Sequence, residues 1–587
     1  MKKKGFTLIE LLAVIIILAI ISLIVTPMIS NIIKNATKAA ARSSAQGYID
    51  AVKQKAAVAV LDGQALDEIN MVSDLDHILK YSGSRVEKGI VIIDGDILEE
   101  ARICVNGYSF EYFNDKLAES TVNYCIDNSN VEVSILGSEP IQESSSQYRY
   151  DLDLTNYDIS NATNVVCNNN AIPSIENDTL HVKHVYGDTK CSIGNNLVNT
   201  FTNLDDTTNN VVMMADETIS TTLTLAEGKN AIFDLNGKDV KITNPNDPDN
   251  TLTAESDNYR LNLRGSLEFN DSDGTGSFTC PKTSSLIVIY STGKLEINGG
   301  NYDGRRVVNN VGGYVELNNG NFNSILGENV LNNGATNIVI NGGTFTRNDG
   351  VGIHNFRNGN ITINGGSFYS ETATIYNSSS GNVYINGGTF ISNSNNAILN
   401  SSTNLVTITQ TDKPIYITSL AQAWKPAIVN ASTGTINITA NQANACTSDV
   451  ADTTSGLCVY AEGDKNYTSS TSNGAVRNSA AGTINVNGGT YYGGNQGFNN
   501  HAGGTINIRN IIVSSGKYGM LNNGAGLINI CSTTINNAPE ELHINSSSTD
   551  GVINYSSDVV FRDGASTPTL ISSGGTTNAV STCPITE

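Results

Sequence analysis

A six-residue phrase recurs along the second half of this 587-residue chain at intervals of about 22 to 23 residues. The phrase is Ile-Asn-Gly-Gly-Thr-Phe at 340–345, and close copies occupy 363–368, 385–390 and 486–491. Short apolar runs separated by Gly and Asn at such a period are typical of solenoids, in which each repeat forms one coil. The repeat therefore predicts a parallel β-helix over residues 211–575, with roughly fourteen to sixteen coils spaced about 4.8 Å apart.

A second asparagine lies nine residues ahead of the asparagine of each phrase. Stacked coils leave turn amides that must find partners, and an asparagine at the same place in each coil can bond to its neighbour. We therefore expect an internal structural ladder, with a ligand groove as the alternative, and we expect the Phe and Tyr residues of the phrases to stack as well. The predicted ladder consists of Asn309, Asn332, Asn355, Asn377, Asn400, Asn430, Asn478, Asn500 and Asn522.

Two insertions interrupt the repeat, at about 410–430 and 440–477. Insertions in solenoids fall on one face and often carry the binding function. Trp424 and Tyr460 are therefore candidate ligand-binding residues, although Trp424 could instead pin its insertion to the coils. The segment that begins at Ile232 and continues past Leu261 resembles the opening coils of right-handed β-helices in bacterial surface proteins.

The chain begins with three lysines, Gly5 and Phe6, and an apolar run then extends to Ile33. Residues 6–29 are long enough to cross a hydrocarbon core of about 30 Å, and the lysines predict a positive-inside orientation. One carboxylate, Glu10, and one proline, Pro27, lie inside this run. A charged Glu10 facing lipid would cost on the order of 2.5 to 3.5 kcal/mol, so it should have a partner.

This N-terminal stretch resembles the prepilin leader of type IV pilins and type II secretion pseudopilins. The resemblance, which includes Pro27, implies cleavage after Gly5 by a prepilin peptidase, N-methylation of Phe6, and pairing of Glu10 with such an amine on another pilin subunit. It also implies a single-pass membrane protein that later becomes part of an extracellular pilus or the cell surface. A secretory signal peptide or a simple membrane anchor is the alternative, but neither explains Glu10 or the Gly5-Phe6 junction.

The predicted fold class is multidomain and mainly β. The leader, 1–5, precedes a long helix over 6–61, and a small antiparallel head over 62–137 is similar to the pilin fold. A linker over 138–147 and a small disulfide-containing β module over 148–205 follow the head. A C-terminal tail over 576–587 follows the solenoid.

The net charge of -22 argues against nucleic acid as a partner, because binding to phosphates requires clustered Lys and Arg. None of the nine cysteines forms a Cys-x-x-Cys pair, so zinc is not expected, and export favours disulfides. Of the nine cysteines, Cys280 has no predicted partner, so either it is a buried free thiol or the pairs predicted here are wrong. The predicted pairs are Cys104 with Cys125, Cys167 with Cys191, Cys446 with Cys458 and, as a weaker guess, Cys531 with Cys583.

No cofactor is expected, although Asp271 and Asp273 could belong to a calcium loop. Asp-Gly is also a common turn, and no glutamate follows at the spacing of a helix-loop-helix calcium site. Between Glu296 and Asp464 the acidic residues are sparse and fall at differing places in the repeat. We find no paired carboxylates that recur with the coil period, so catalysis is the less favoured function. We therefore expect a minor subunit, at the tip of a pilus, whose solenoid binds an unknown surface glycan or protein. The alternative is a surface-anchored polysaccharide lyase or glycoside hydrolase.

Overall fold

The chain forms two compact units, which we describe separately in a computed structural model. The first consists of Met1–Val131 with Thr155–Asp158, and the second of Glu132–Leu154 with Ile159–Glu587. In the first helix the side chains are described from Asn35 onward. The described residues are 8–61, 66, 69–75, 78–94, 96–113, 115–119, 131–133, 141–144, 147–154, 159, 162–176, 179–184, 189–252, 254–255, 258–332, 334, 336–421, 425–463, 474–544, 550–565, 567–572 and 575–585.

In the first unit, helix α1 (Leu8–Leu61) packs on a five-stranded antiparallel sheet. Small and apolar residues of α1, among them Ala45, Ile49 and Val52, bury one helix face against the sheet. Asn106 and Gly107 both have positive φ, which the tight turn between two of the strands requires. The remaining elements are β1 (Ile69–Met71), α2 (Val72–Leu75), β2 (Val86–Asp94), β3 (Ile97–Val105), β4 (Tyr108–Phe113) and β5 (Lys116–Glu119).

Most of the segment between the predicted head and the predicted solenoid, residues 138–205, belongs to the same compact unit as the solenoid. The predicted linker contains a strand, β7, which pairs with β8 in a four-stranded antiparallel sheet of order β10-β11-β8-β7. Strand β9 pairs with β12 and also with the first solenoid strand. The elements are β6 (Val131–Val133), β7 (Ile141–Ser144), β8 (Gln147–Asp153), β9 (Asn164–Cys167), β10 (Ile172–Glu176), β11 (Thr179–Lys183), β12 (Cys191–Gly194) and α3 (Leu197–Asn203).

Helix α3 and strand β9 cover the N-terminal end of the solenoid core. Leu197 and Phe201 of α3 are buried in the core cluster, and the Phe201 ring lies 5.6 Å from the Phe233 ring. Glu217 fixes this cap, because its carboxylate accepts hydrogen bonds from Leu197 N at 2.7 Å and from Thr163 Oγ1 at 2.5 Å. The pairing of β9 with the first solenoid strand gives partners to backbone N–H and C=O groups that would otherwise be exposed at the edge of the sheet.

The solenoid has about 15 turns, and each complete turn contributes one strand to each of three parallel sheets. This confirms the predicted parallel β-helix, while its right-handed sense stays a prediction. Sheet I consists of Thr208–Met213, Asn230–Asp234, Ser266–Asn270, Lys294–Ile297, Tyr314–Leu317, Ile338–Ile340, Ile361–Ile363, Val383–Ile385, Leu405–Thr409, Thr435–Thr439, Thr483–Asn487, Thr505–Arg509, Leu527–Cys531, Val552–Ser556 and Thr576–Val580.

Sheets II and III follow sheet I within each turn. Sheet II consists of Glu217–Ile219, Asp239–Ile242, Ser277–Thr279, Asn301–Gly304, Asn321–Ser324, Thr344–Arg347, Ser367–Ser370, Gly388–Ser392, Ile415–Ser419, Leu457–Ala461, Thr490–Gly493, Ile512–Ser515 and Thr534–Asn536. Sheet III consists of Leu223–Leu225, Leu261–Leu263, Ser285–Ile289, Arg306–Asn310, Val330–Asn332, Ile353–Asn355, Ile375–Asn377, Ile398–Asn400, Ile428–Asn430, Gly474–Asn478, Gln496–Asn500, Tyr518–Asn522, Glu540–Ile544 and Leu570–Ser572. Two short 3₁₀ helices cover Val450–Asp452 and Arg562–Gly564.

Alternate residues of each strand point into the solenoid, where they form one continuous aliphatic core. The aromatic residues of the repeated phrase form an internal stack within this core, so the predicted stack is inside and not on the surface. Ring centroids of successive coils are 4.5 to 5.4 Å apart and the planes are nearly parallel. The stack consists of Tyr302, Phe322, Phe345, Phe368 and Phe390.

Three predicted disulfides are present: Cys167–Cys191, Cys446–Cys458 and Cys531–Cys583. Cys104 is disulfide-bonded, and its predicted partner Cys125 lies outside the described residues. Among the described cysteines, Cys280 is a buried free thiol, and burial raises its pKa well above the ordinary range.

The C-terminal segment differs from the predicted tail. Thr576–Val580 pairs in parallel with Val552–Ser556, so sheet I continues past residue 575. The sequence pattern did not reveal this backbone pairing.

Within the part of the chain that the structure describes, no helix is long and apolar enough to cross a membrane. The predicted membrane-spanning residues, 6–29, lie outside the described side chains.

Candidate functional site

The buried asparagine ladder runs along the turn between sheets III and I. Each ladder residue ends a sheet III strand with its side chain completely buried. From one coil to the next, the Nδ2 atom donates to the Oδ1 atom of the following asparagine at 3.0 to 3.3 Å, from Asn310 through to Asn500. At the C-terminal end, Asn522 Nδ2 instead donates to the Gly526 carbonyl at 2.7 Å. The ladder supports the coils and offers no groove.

One predicted member of the ladder is wrong. Asn309 pairs with Leu331 on the outward side of sheet III, whereas Asn310 pairs with Asn332 and is buried. Adjacent strand residues face opposite sides of a sheet, so a shift of one residue exchanges the buried and the outward asparagine.

A second set of asparagines, the outer ladder, lies on the outward side of sheet I in two stacks that are two strand positions apart, and the sequence analysis did not identify it. Here the Nδ2 atom of each later coil donates to Oδ1 of the preceding coil at 2.7 to 3.0 Å. Asn529 is buried, and the other residues are half-buried or exposed, so water can compete for them. They are Asn270, Asn298, Asn318, Asn341, Asn364 and Asn386, and, in the later coils, Asn437, Asn485, Asn507, Asn529, Asn554 and Asn578.

Three carboxylates form a row beside the first stack of the outer ladder, which corrects the expectation that no paired carboxylates recur from coil to coil. Glu268 pairs with Glu296, and Glu296 with Glu316, in successive strands of sheet I. Like charges at directly paired positions repel. The neighbouring asparagine of the next coil offsets this by donating to each carboxylate, as Asn298 does to Glu268 at 3.0 Å.

A groove of about 160 Å³ opens beside this row and is lined in part by Ser266, Glu268, Lys294 and Glu296. Lys294 Nζ lies 3.9 Å from Glu296 Oε2, so a cation and two carboxylates face the same space. Successive glutamates of the row are 28 and 20 residues apart, so a search at a fixed coil period does not reveal their common register. The signal that could have found them is the shared tripeptide Glu-apolar-Asn.

The outward side of sheet III carries an ionic cluster. The Arg306 Nε atom lies 2.7 Å from Glu328 Oε2, and Arg306 also contacts Glu255. His354 joins the cluster, because its Nδ1 lies 3.3 Å from Glu328 Oε1 and its Nε2 lies 2.7 Å from Ser378 Oγ. The burial of Glu328 favours the neutral acid, but the hydrogen bonds from His354 and Arg306 outweigh burial and lower its pKa to about 2.

Aromatic rings adjoin this cluster and form what we call the aromatic platform: His354, Phe356 and Tyr376. The rings of His354 and Tyr376 stack at 4.8 Å with an angle of 17°, and Phe356 meets His354 edge-on at 5.4 Å. The Phe356 side chain is 46% exposed. The Arg357 guanidinium lies 5.6 Å from the Phe356 ring centroid.

The second predicted insertion packs on sheet II. The Cys446–Cys458 disulfide ties it to a strand of this sheet, and Tyr416 Oη donates to the Thr447 carbonyl at 2.9 Å. Burial raises the pKa of Tyr416 to about 12. Tyr460 is half-buried and its ring stacks on Tyr492 at 4.8 Å, while Trp424 lies outside the described residues.

The candidate calcium residues hold turns. Asp271 accepts hydrogen bonds from Gly237 N at 2.8 Å and Gly276 N at 2.7 Å, and Asp273 accepts one from Thr275 Oγ1 at 2.7 Å. Among the residues described, no group of three or more His, Cys, Asp or Glu side chains could hold a metal ion.

The predicted processing and assembly residues are not visible as side chains: Gly5 and Phe6 precede the described residues, and the side chains of Glu10 and Pro27 lie outside them. A family model described as the prokaryotic N-terminal methylation motif matches residues 1–26. The match confirms the prepilin leader. No curated protein and no solved structure matches the chain.

Proposed function

We propose that this chain is a minor pilin-like subunit, at the tip of a pilus or pseudopilus, that displays its solenoid as an adhesin. The observation that carries the proposal is a methylation motif at residues 1–26 on a chain that ends in a solenoid of about 15 turns. The motif implies processing by a prepilin peptidase, insertion in the membrane before assembly, and assembly with other pilin subunits through the N-terminal helix. Helix α1 packed on an antiparallel sheet is consistent with a pilin-like head.

The size of the solenoid favours a tip subunit over a bulk fibre subunit. About fifteen coils at about 4.8 Å each extend roughly 70 Å. A domain of this length on every subunit would clash in a tightly packed fibre, whereas one copy at the end of the fibre has room. The net charge of -22, which is that of the whole chain, favours solubility and disfavours nucleic acid as a partner.

Replacement of Glu10 by Ala tests the assembly part of this proposal. We expect the Glu10→Ala protein to be processed and membrane-bound but absent from purified fibres, because its helix lacks the carboxylate that pairs with a neighbouring amine. Glu119→Ala, in the head, is the control and should enter fibres normally. Equal incorporation of both variants into fibres would contradict the proposal. Gold labelling of this subunit along the whole fibre shaft, and not at its end, would contradict the tip position.

A surface-anchored glycan lyase or hydrolase is the second candidate, favoured by the carboxylate row on sheet I. Glu268 and Glu296 lie in adjacent strands beside Lys294, and paired carboxylates are what glycoside hydrolysis needs. Incubation of the full-length protein with acidic and neutral polysaccharides decides this point. Product release that is abolished in Glu296→Gln would establish the enzyme, while the absence of products would favour the adhesin.

A further inference from the structure

One turn of the solenoid departs from the pattern of the coils that follow it. The two positions after the ladder asparagine are Phe356 and Arg357 in this turn. In the next four coils the same two positions are Ser-Ser, Ser-Ser, Ala-Ser and Ser-Ala, beginning at 378, 401, 431 and 479. Neither the core nor the ladder needs a large side chain here, since small residues suffice elsewhere. An exposed aromatic ring and a guanidinium at one such turn therefore require another explanation.

The turn that carries Phe356 is rigid. The backbone N–H groups of Phe356 and Arg357 both donate to the Asn332 carbonyl of the preceding coil, at 3.0 and 3.2 Å. Asn355, directly before them, is locked in the buried ladder. Gly359 closes the turn, and a Cβ atom there would lie only 2.0 Å from the Thr336 carbonyl oxygen. A ligand would meet a preformed surface, so little conformational entropy would be lost on binding.

The chemistry of the aromatic platform suits a sugar ring. The face of an aromatic ring is apolar and electron-rich, and it packs well against the C–H groups on one face of a pyranose. Phe356 is 46% exposed beside the stacked rings of His354 and Tyr376. Ser378 Oγ and the Glu328 carboxylate, both bonded to His354, provide polar groups at the edge of the same surface. Aromatic faces with a few fixed polar groups are typical of ligand sites.

The charge at the platform indicates an acidic sugar. Arg357 is exposed and lies against the ring that would stack on the ligand. A guanidinium can bind a carboxylate through two parallel hydrogen bonds. In a chain with a net charge of -22, a cation at this position is the feature that would select a carboxylate.

We propose that the aromatic platform and Arg357 form a binding site for an acidic pyranose of an extracellular glycan. The pyranose ring stacks on Phe356, and its carboxylate contacts Arg357. The proposal rests on the proposed function only for the display of the solenoid outside the cell. It places the ligand on the outward side of sheet III, and not in the insertions that the sequence pointed to.

Binding by the purified full-length protein in detergent micelles tests the site. The probes are oligogalacturonate, hyaluronan and sialyllactose, with maltohexaose and cellohexaose as neutral sugars, measured by calorimetry. We expect at least one acidic probe to bind without being cleaved. Phe356→Ala should weaken its binding at least tenfold, and Arg357→Gln should weaken it and reduce its dependence on salt.

Tyr369→Ala is the matched control, because Tyr369 is a 39% exposed aromatic residue of sheet II, away from the platform. It should bind like the unaltered protein, and circular dichroism should give the same melting temperature for both alanine variants. Binding of neutral sugars alone, no binding of any acidic probe, or equal effects of Phe356→Ala and Tyr369→Ala would overturn the proposal. Fibre incorporation of Phe356→Ala, measured separately, should be normal, so failure of the site and failure of assembly are distinguishable.

Discussion

At the scale of single residues, the two asparagine ladders use the same hydrogen bond in different surroundings. The ladder from Asn310 to Asn500 is buried, so each amide depends on its neighbours in the coils before and after. The outer ladder on sheet I is half-buried or exposed except at Asn529, so water can replace a lost partner. A buried amide without a partner costs about 1 to 3 kcal/mol, whereas an exposed one costs little.

Asn377→Ala should therefore destabilise the solenoid by about 2 to 4 kcal/mol, because Asn355 Nδ2 loses its acceptor and Asn400 Oδ1 loses its donor. Asn364→Ala, in the outer ladder of the same coil, should cost about 1 kcal/mol or less. The midpoint of urea unfolding, followed by circular dichroism, measures both effects. Similar shifts for the two variants would show that burial does not set the strength of these bonds.

Glu328 should make the solenoid sensitive to acid. Its pKa falls from 4.5 to about 2 in the folded chain, so the stabilisation is complete above pH 4.5 and is lost as the pH falls towards 2. Glu328→Gln removes the charge that Arg306 and His354 require, and should cost on the order of 2 to 3 kcal/mol at pH 7. Urea midpoints at pH 7 and pH 3 should differ less in the variant than in the unaltered protein. An unchanged difference would contradict the assigned ion pairs.

At the scale of elements, the insertion on sheet II is attached by few contacts. Its disulfide, Cys446–Cys458, closes a short loop, and hydrogen bonds link it to Tyr416, Thr490 and Asn510. The three sheets beneath it are held by continuous backbone pairing between coils. Opening of the insertion should therefore be separable from unfolding of the coils.

Replacing Cys446 and Cys458 together by Ser should make residues 441–456 at least tenfold more sensitive to subtilisin, because the loop loses about 2 to 3 kcal/mol of constraint. The melting temperature of the solenoid should change little. The matched control replaces Cys167 and Cys191, which lie in strands β9 and β12 of the cap, and should lower that melting temperature. Digestion rates and circular dichroism separate the two outcomes, and a large loss of solenoid stability in the first variant would contradict independent opening.

At the scale of the whole molecule, the solenoid is a series of nearly equal coils in which each contacts chiefly its neighbours. The equivalent strands Ile338–Ile340, Ile361–Ile363 and Val383–Ile385 pair in register. The aromatic stack and both asparagine ladders follow the same register. Removing one complete coil should therefore bring together groups that already match.

Deletion of residues 361–382 should leave a folded protein, with Phe345 stacked on Phe390 and Asn355 bonded to Asn400. Deletion of 361–371, about half a coil, should abolish folding of the adjoining coils, because it places outward residues in the core. Circular dichroism and limited proteolysis of the two purified chains test this expectation. A folded half-coil variant or an unfolded full-coil variant would show that the coils are not equivalent.

The sequence by itself determined the solenoid, its buried ladder, three disulfides and the N-terminal leader. Each of these is recorded in a local pattern: a regular period, cysteines near one another in sequence for two of the pairs, and a contiguous motif at residues 1–26. The predicted register is wrong at Asn309. Asn309 and Asn310 both fit the sequence pattern, and only the strand pleat decides which of the two side chains points into the core.

The tertiary structure alone decided where the outward groups meet. Parallel pairing places equivalent strand positions about 4.8 Å apart whatever the length of the intervening turn. Coils 28 and 20 residues long therefore align Glu268, Glu296 and Glu316, although no fixed spacing relates them. In the same way the pairing of successive strands brings Tyr376 against His354, which lies two residues before Phe356, and so completes a surface that the linear chain does not display.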